Sequence, residues 1–166
     1  MEATERTFTS WDGAELFYRS WIPNKATDRA LLLFHRGHEH SGRWQETVDS
    51  LDLDDVAIFA WDARGHGRSA GDRGAAKSLH DVIKDVDAFA RHVSEKFGIP
   101  IENMIVLAHS LAAVTVTAWV HDYAPPIRAI IFWNLPIFFI ICCICANLLS
   151  IVLSSVTETP LPFAMR

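Results

Sequence analysis

Three short runs of uninterrupted apolar residues, at Ala30–Phe34, 56–61 and 104–107, constrain this chain more than any other feature, and 127–132 is a fourth broken only by Arg128. A strand with one wet face alternates apolar and polar residues, whereas a strand covered on both faces does not need to. Between these runs the period changes. Val82, Val86, Phe89, Val93 and Phe97 recur every three or four residues over 78–97, the spacing of one face of a helix. Ser78 with Asp81 caps its start, and Gly98 followed by Pro100 stops it. Helices are also expected over 43–51 and 110–123. Buried strands alternating with helices imply an α/β fold, a mostly parallel sheet with helices on both faces. Ahead of it, segments 5–11 and 14–21 flank Asp12-Gly13 and read as a hairpin.

The chain has 166 residues, half of them hydrophobic and 21% charged, enough for one packed domain. Its net charge of −5, with Lys and Arg scattered among Asp and Glu, excludes nucleic acid as a main partner. No apolar leader follows Met1, so the body is expected to be cytoplasmic. Cys142, Cys143 and Cys145 share one apolar run without the paired spacing of a zinc site or a disulfide framework.

The chemistry concentrates at Ile105-Val106-Leu107-Ala108-His109-Ser110-Leu111-Ala112-Ala113, where a buried strand ends, a serine stands at the turn and a helix rich in small residues begins. Taken alone, the stretch leaves two readings open: an exposed nucleophile on a sharp elbow, or a serine capping a helix. Two other strand ends bear on the choice. One carries His35-Arg36-Gly37-His38-Glu39-His40-Ser41-Gly42-Arg43-Trp44, the other Asp62-Ala63-Arg64-Gly65-His66-Gly67-Arg68-Ser69-Ala70-Gly71. With the elbow they follow the order H-G-x-x-E-H-S-G-R-Y/W, D-x-R-G-H-G-x-S-x-G, G-H-S-x-G. Over residues 5–133 the chain therefore resembles the monoacylglycerol lipase and lysophospholipase (serine aminopeptidase-like) branch of the α/β-hydrolases.

The resemblance implies an α/β-hydrolase fold and a serine hydrolase of carboxylic esters, monoacylglycerol or lysophospholipid in type. Ser110 would be the nucleophile, and the backbone amides of Gly37 and Leu111 would form the oxyanion hole. It makes His109 the variable residue of the elbow, packed beside the serine rather than acting as its base. It also accounts for His35, Glu39 and His40 as loop scaffolding, where their crowding with His38 might otherwise suggest a metal site. No metal or organic cofactor is implied, and the expected partner is a small lipid or ester substrate. Gly65-His66-Gly67 lacks the Lys and Ser/Thr of a phosphate loop and reads as a turn.

Three departures from the family pattern stand out. Arg36 occupies a usual Gly position before the oxyanion donor, and Ala112 replaces the last Gly of the elbow. The third concerns the triad, which in this fold runs Ser, Asp, His along the chain. No His follows His121 and no Asp follows Asp122, and both belong to the helix after Ser110. The fold is thus expected to be truncated after about the sixth strand, with the triad incomplete and the chain inactive by itself.

The domain reading is an incomplete hydrolase domain over 1–133 and a hydrophobic tail over 134–166. Ala129 through Thr157 contains no charged residue, longer than the roughly 20 residues that span a bilayer. Two explanations stay open: a frameshift-like replacement of hydrolase sequence, or a membrane anchor over 135–156 that makes the chain a non-catalytic pseudo-hydrolase binding lipid or a partner protein.

Overall fold

The computed structural model describes residues 1–133. The tail at 134–166, with both explanations offered for it, lies outside the described residues. Strands β1 (Thr4–Thr9), β2 (Glu15–Trp21), β3 (Ala30–Phe34), β4 (Ala57–Trp61), β5 (Met104–His109) and β6 (Ala129–Trp133) form a sheet in the order β1-β2-β4-β3-β5-β6. The first two pairings are antiparallel and the other three parallel. Helices α1 (Gln45–Leu51), α2 (Leu79–Phe97) and α3 (Leu111–Tyr123) make the connections. The apolar runs fall where the sequence places them, and every side chain of β3 and β4 is buried.

Alternate residues of these strands feed two cores, as the two-residue period of a strand requires. Leu31, Leu33, Ile58 and Ala60 pack with Trp44 and Val48 on the α1 side. On the other face Phe34 and Trp61 meet Phe89 of α2 edge-on and stacked, and Phe59 meets Phe97. Each such side chain contributes roughly 1.5–3 kcal/mol by leaving water.

The strand order decides where a site can open. The chain moves from β3 outward to β4 through α1 on one face, then returns past β3 to β5 through α2 on the other. A right-handed crossover can reverse direction only by changing face. The loops leaving β3 and β5 therefore diverge, and a crevice opens between their carboxyl ends, where ligands bind in open α/β sheets.

Two local expectations change. Trp11 is not a strand residue: Ser10 N–H donates to the Ala14 carbonyl (2.8 Å), so the turn is wider, and Trp11 instead donates from Nε1 to the Asp81 carbonyl (3.2 Å). On α2, Val82 and Phe97 are only half-buried, and the covered face runs through Ile83, Asp85, Val86, Phe89, Ala90 and Val93. The caps are as expected: Ser78 Oγ accepts from Asp81 N–H (3.2 Å), and Gly98 takes the left-handed conformation.

Candidate active site

Ser110 joins β5 directly to α3 at φ 54° and ψ −112°, a combination that costs a side-chain-bearing residue about 1–3 kcal/mol. Its amide is held by the Trp133 carbonyl (3.0 Å), while its own carbonyl accepts from Ala113 N–H (3.0 Å) to start the helix. The hydroxyl does not cap α3 and bonds to no described residue. Ser110 thus stands at the N-cap position of α3 without making the side-chain bond of a capping serine. Ala108 and Ala112, at the family's glycine positions, are both buried, so the packed elbow accommodates the two methyl groups.

The second loop lies across the crevice. His35 Nδ1 donates to the Arg36 carbonyl (2.6 Å), and His35 Nε2 accepts from Ala63 N–H (3.0 Å). These partners assign the neutral tautomer, and burial pushes the ring's pKa down, in the same direction. In a trans peptide the C=O and N–H point opposite ways. With the Arg36 carbonyl turned to His35, the Gly37 amide faces away from it. A Cβ built on Gly37 would stand 3.5 Å from Leu111 Cδ2, so the two residues expected to supply the oxyanion donors are neighbours. The Arg36 side chain is turned out to Glu39 (2.9 Å).

The third loop supports the second. The buried Asp62 carboxylate accepts from Ser41 N–H (2.6 Å) and Arg68 N–H (2.8 Å), tying the loop after β3 to the loop after β4. Gly67 must be glycine, because at φ 49° any Cβ would collide with that carboxylate. Gly65, at φ 72°, is confined in the same way by the Asp72 and Ala75 carbonyls. Both glycines serve a turn, as the sequence implies. Beneath them Arg64 forks onto Asp85 (2.9 and 2.7 Å) and Asp12 (2.9 and 3.0 Å), while Ser10 Oγ donates to Asp85 (2.5 Å).

The structural parts of Asp62 and Asp85 were not anticipated. Asp85 left one signal, a carboxylate among the apolar residues of α2. Asp62 left none beyond its place in the motif.

Among the described residues, no titratable group hydrogen-bonds the serine hydroxyl. His109 stacks on Trp133 (5.2 Å between rings), and burial lowers its pKa. His121 and Asp122 pair with each other at 2.8 Å on the exposed end of α3. His66 lies between His35 and His38, with ring centres 5.3 and 6.5 Å away. Among the described residues, no group of three or more His, Cys, Asp or Glu is placed to hold a metal ion. No helix among them is long and apolar enough to cross a membrane, and 135–156 falls outside them.

Beside Gly37 and Leu111 a chamber of about 250 Å³ opens between α2 and α3. Trp61, Val82, Val86, Thr115 and Val116 line it, and Ala75 and Ala76 of the loop before α2 cover one side. The buried Trp61 Nε1 has no acceptor among the described residues.

Comparison with known proteins agrees with this arrangement. The family described as Serine aminopeptidase, S33 matches residues 25–153. The Escherichia coli protein YnbC is 47% identical over 128 residues, 76% of this chain and 22% of that protein. The human monoglyceride lipase is 33% identical over 101 residues, 60% of this chain and 32% of the lipase. The chain thus spans less than half the length of either relative. Among solved structures, a thermostable carboxyl esterase from Bacillus coagulans superposes with a TM-score of 0.65 at 18% identity, over 96% of this chain and 54% of the esterase; this likeness concerns the fold. The chain belongs to the Serine aminopeptidase, S33 family and is an α/β-hydrolase of the monoacylglycerol lipase branch.

Proposed function

We propose that Ser110 is the nucleophile of a serine hydrolase acting on carboxylic esters of the monoacylglycerol or lysophospholipid type. The observation that carries the reading is the conformation of Ser110, φ 54° and ψ −112° between β5 and α3, with a hydroxyl bonded to no described residue. Strain of this kind persists only where surrounding structure enforces it, and it gathers at functional sites. Ser110 Oγ adds to the ester carbonyl, giving up its proton to a base; the tetrahedral oxyanion accepts hydrogen bonds from Gly37 N–H and Leu111 N–H; its collapse expels the alcohol and leaves an acyl-enzyme. Each such donor is worth about 3–4 kcal/mol in comparable sites.

A general base does not stand against Ser110 among the described residues, and an unassisted serine hydroxyl is a weak nucleophile. The finer reading is therefore that this chain alone turns over esters poorly. The test is fluorophosphonate labelling, located by mass spectrometry, beside turnover of a short p-nitrophenyl ester. Slow labelling at Ser110 in preference to the other serines, lost in Ser110→Ala, with turnover near background, is expected. Labelling spread evenly over the serines would overturn the nucleophile assignment, and brisk Ser110-dependent turnover would overturn the inactivity.

The uncharged, apolar stretch over 135–156 favours a second reading, a membrane-anchored pseudo-hydrolase. Carbonate-resistant membrane association of the expressed chain would support it, and release by carbonate would end it.

A further inference from the structure

Polar side chains as well as apolar ones border the opening that Gly37 and Leu111 share. Three of them are already engaged. Arg64 is forked onto Asp85 and Asp12, His66 Nδ1 donates to the Arg64 carbonyl (3.0 Å), and Ser78 caps α2. Arg36, on the same wall, differs. Its guanidinium meets Glu39 through Nε (2.9 Å) and remains 53% exposed. Arg43 stands 4.0 Å from the same Glu39 oxygen, so two cations share one carboxylate in a chain whose net charge is −5. An exposed ion pair of this kind contributes little. A guanidinium met at Nε still presents its paired Nη edge, the fork that takes a phosphate by two parallel hydrogen bonds.

Nothing in the loop itself calls for an arginine here. Arg36 does not have the positive φ that would restrict the residue type. The bonds that hold the loop, those of His35 to the Arg36 carbonyl and the Ala63 amide and of Ser41 to Asp62, use no atom of its side chain. The side chain also lies toward the elbow. Burial acts most on the His109 ring and lowers its pKa, and the charges of Glu39 and then Arg36 reach the same ring, one residue before Ser110.

We propose that Arg36 is a specificity-determining residue: its guanidinium takes a phosphate on the alcohol half of the ester and so selects a phosphate-bearing ester over a neutral one. The inference rests on the ester reading of Ser110. Monoacylglycerol and lysophospholipid esters differ in that one group, and Arg36 stands next to the residue whose amide receives the ester oxygen.

The test uses the full chain carrying Ser110→Ala, so that no ester is consumed. It is titrated calorimetrically with monohexanoylglycerol, with the same ester bearing a phosphate on the glycerol, and with inorganic phosphate. At low salt the phosphate ester should bind about tenfold tighter or more than the neutral ester, and the preference should shrink as salt rises. Arg36→Gln should bring the preference near unity while monohexanoylglycerol binds as in the parent. Arg36→Lys should keep part of it, since an ammonium lacks the fork. Arg43→Gln, which removes the same charge from the same corner, should keep most of it. Inorganic phosphate alone should bind far more weakly than the phosphate ester. The proposal is overturned by a parent without preference, by a preference that survives Arg36→Gln, or by an equal loss in Arg43→Gln. It is overturned equally by inorganic phosphate binding as tightly as the ester, or by Arg36→Gln weakening both esters alike, the mark of a merely structural part. If the preference behaves as expected but fluorophosphonate does not single out Ser110, the anion site stands and the hydrolase reading falls. If Ser110 labels and the preference is absent, the reverse holds.

Discussion

His35 accepts the Ala63 amide on Nε2 at 3.0 Å, and this bond, together with the one from Ser41 N–H to Asp62, joins the loop after β3 to the loop after β4. The opposite ring nitrogen turns the Arg36 carbonyl toward His35 and so turns the Gly37 amide away from it. The imidazole can do both only while neutral, since a protonated ring has no lone pair for Ala63.

Acid should therefore loosen this junction. Burial holds the folded pKa of His35 below its ordinary 6.5. The unfolded state then binds the proton more readily, so the stabilisation is complete above about pH 6.5 and is lost as pH falls through the folded value. Urea midpoints between pH 5 and 8 should decline toward acid, and His35→Gln should flatten that decline. His92 and His109 are shifted the same way by burial, so some slope should survive; an unchanged slope in His35→Gln would refute the assignment.

Asp85 is fully buried and answers Arg64 with both oxygens. Asp85→Ala leaves the guanidinium without its inner partner and should cost about 3–5 kcal/mol by chemical denaturation. The paired replacement Arg64→Met with Asp85→Leu should cost clearly less, because it leaves no uncompensated charge. Equal losses would mean that the unpaired guanidinium is not what makes Asp85→Ala costly.

Gly67 and Gly13 both have positive φ, yet their surroundings differ. A Cβ at Gly67 meets the Asp62 carboxylate and stands 2.9 Å from His40 Cβ, whereas nothing lies within 4 Å of one at Gly13. Gly13→Ala should lose only the conformational penalty, roughly 1–2 kcal/mol. Gly67→Ala should lose markedly more and also weaken Ser110 labelling, since the Asp62 link to Ser41 supports the Gly37 loop. Similar melting temperatures for the two variants would contradict this.

The strain at Ser110 can be read as stability. Ser110→Gly removes a Cβ from an unfavourable conformation worth about 1–3 kcal/mol, at a backbone-entropy cost of about 0.5–1. A net gain of about 1 kcal/mol over Ser110→Ala is expected in thermal unfolding, together with complete loss of labelling. A less stable Ser110→Gly would show that the elbow stores no strain.

The strands, the caps of α2 and the three motif loops were legible in the sequence, because each depends on near neighbours: uninterrupted apolar runs, a serine three residues before an aspartate, a glycine where the chain must turn left-handed. Ser110, Gly37 and Leu111 are named as candidates by the resemblance of their motifs to the family pattern, not by spacing. Their nearness could not be read from spacing alone. It follows from the reversal of strand order between β3 and β5, a property of how distant strands pair.

The same limit explains Asp85, Asp62 and the chamber. Hydrophobic period tells which face of a helix turns inward, but not whether a carboxylate there will find Arg64 and Ser10, which lie far away along the chain. Nor can it tell that Val82, spaced like a core residue, borders a cavity. Local propensity thus determined the elements and the chemistry at their ends. Only tertiary packing, which brings partners together across long sequence separations and leaves some volume unfilled, decided which polar groups are satisfied, how the Arg36–Gly37 peptide is turned and where a cavity remains.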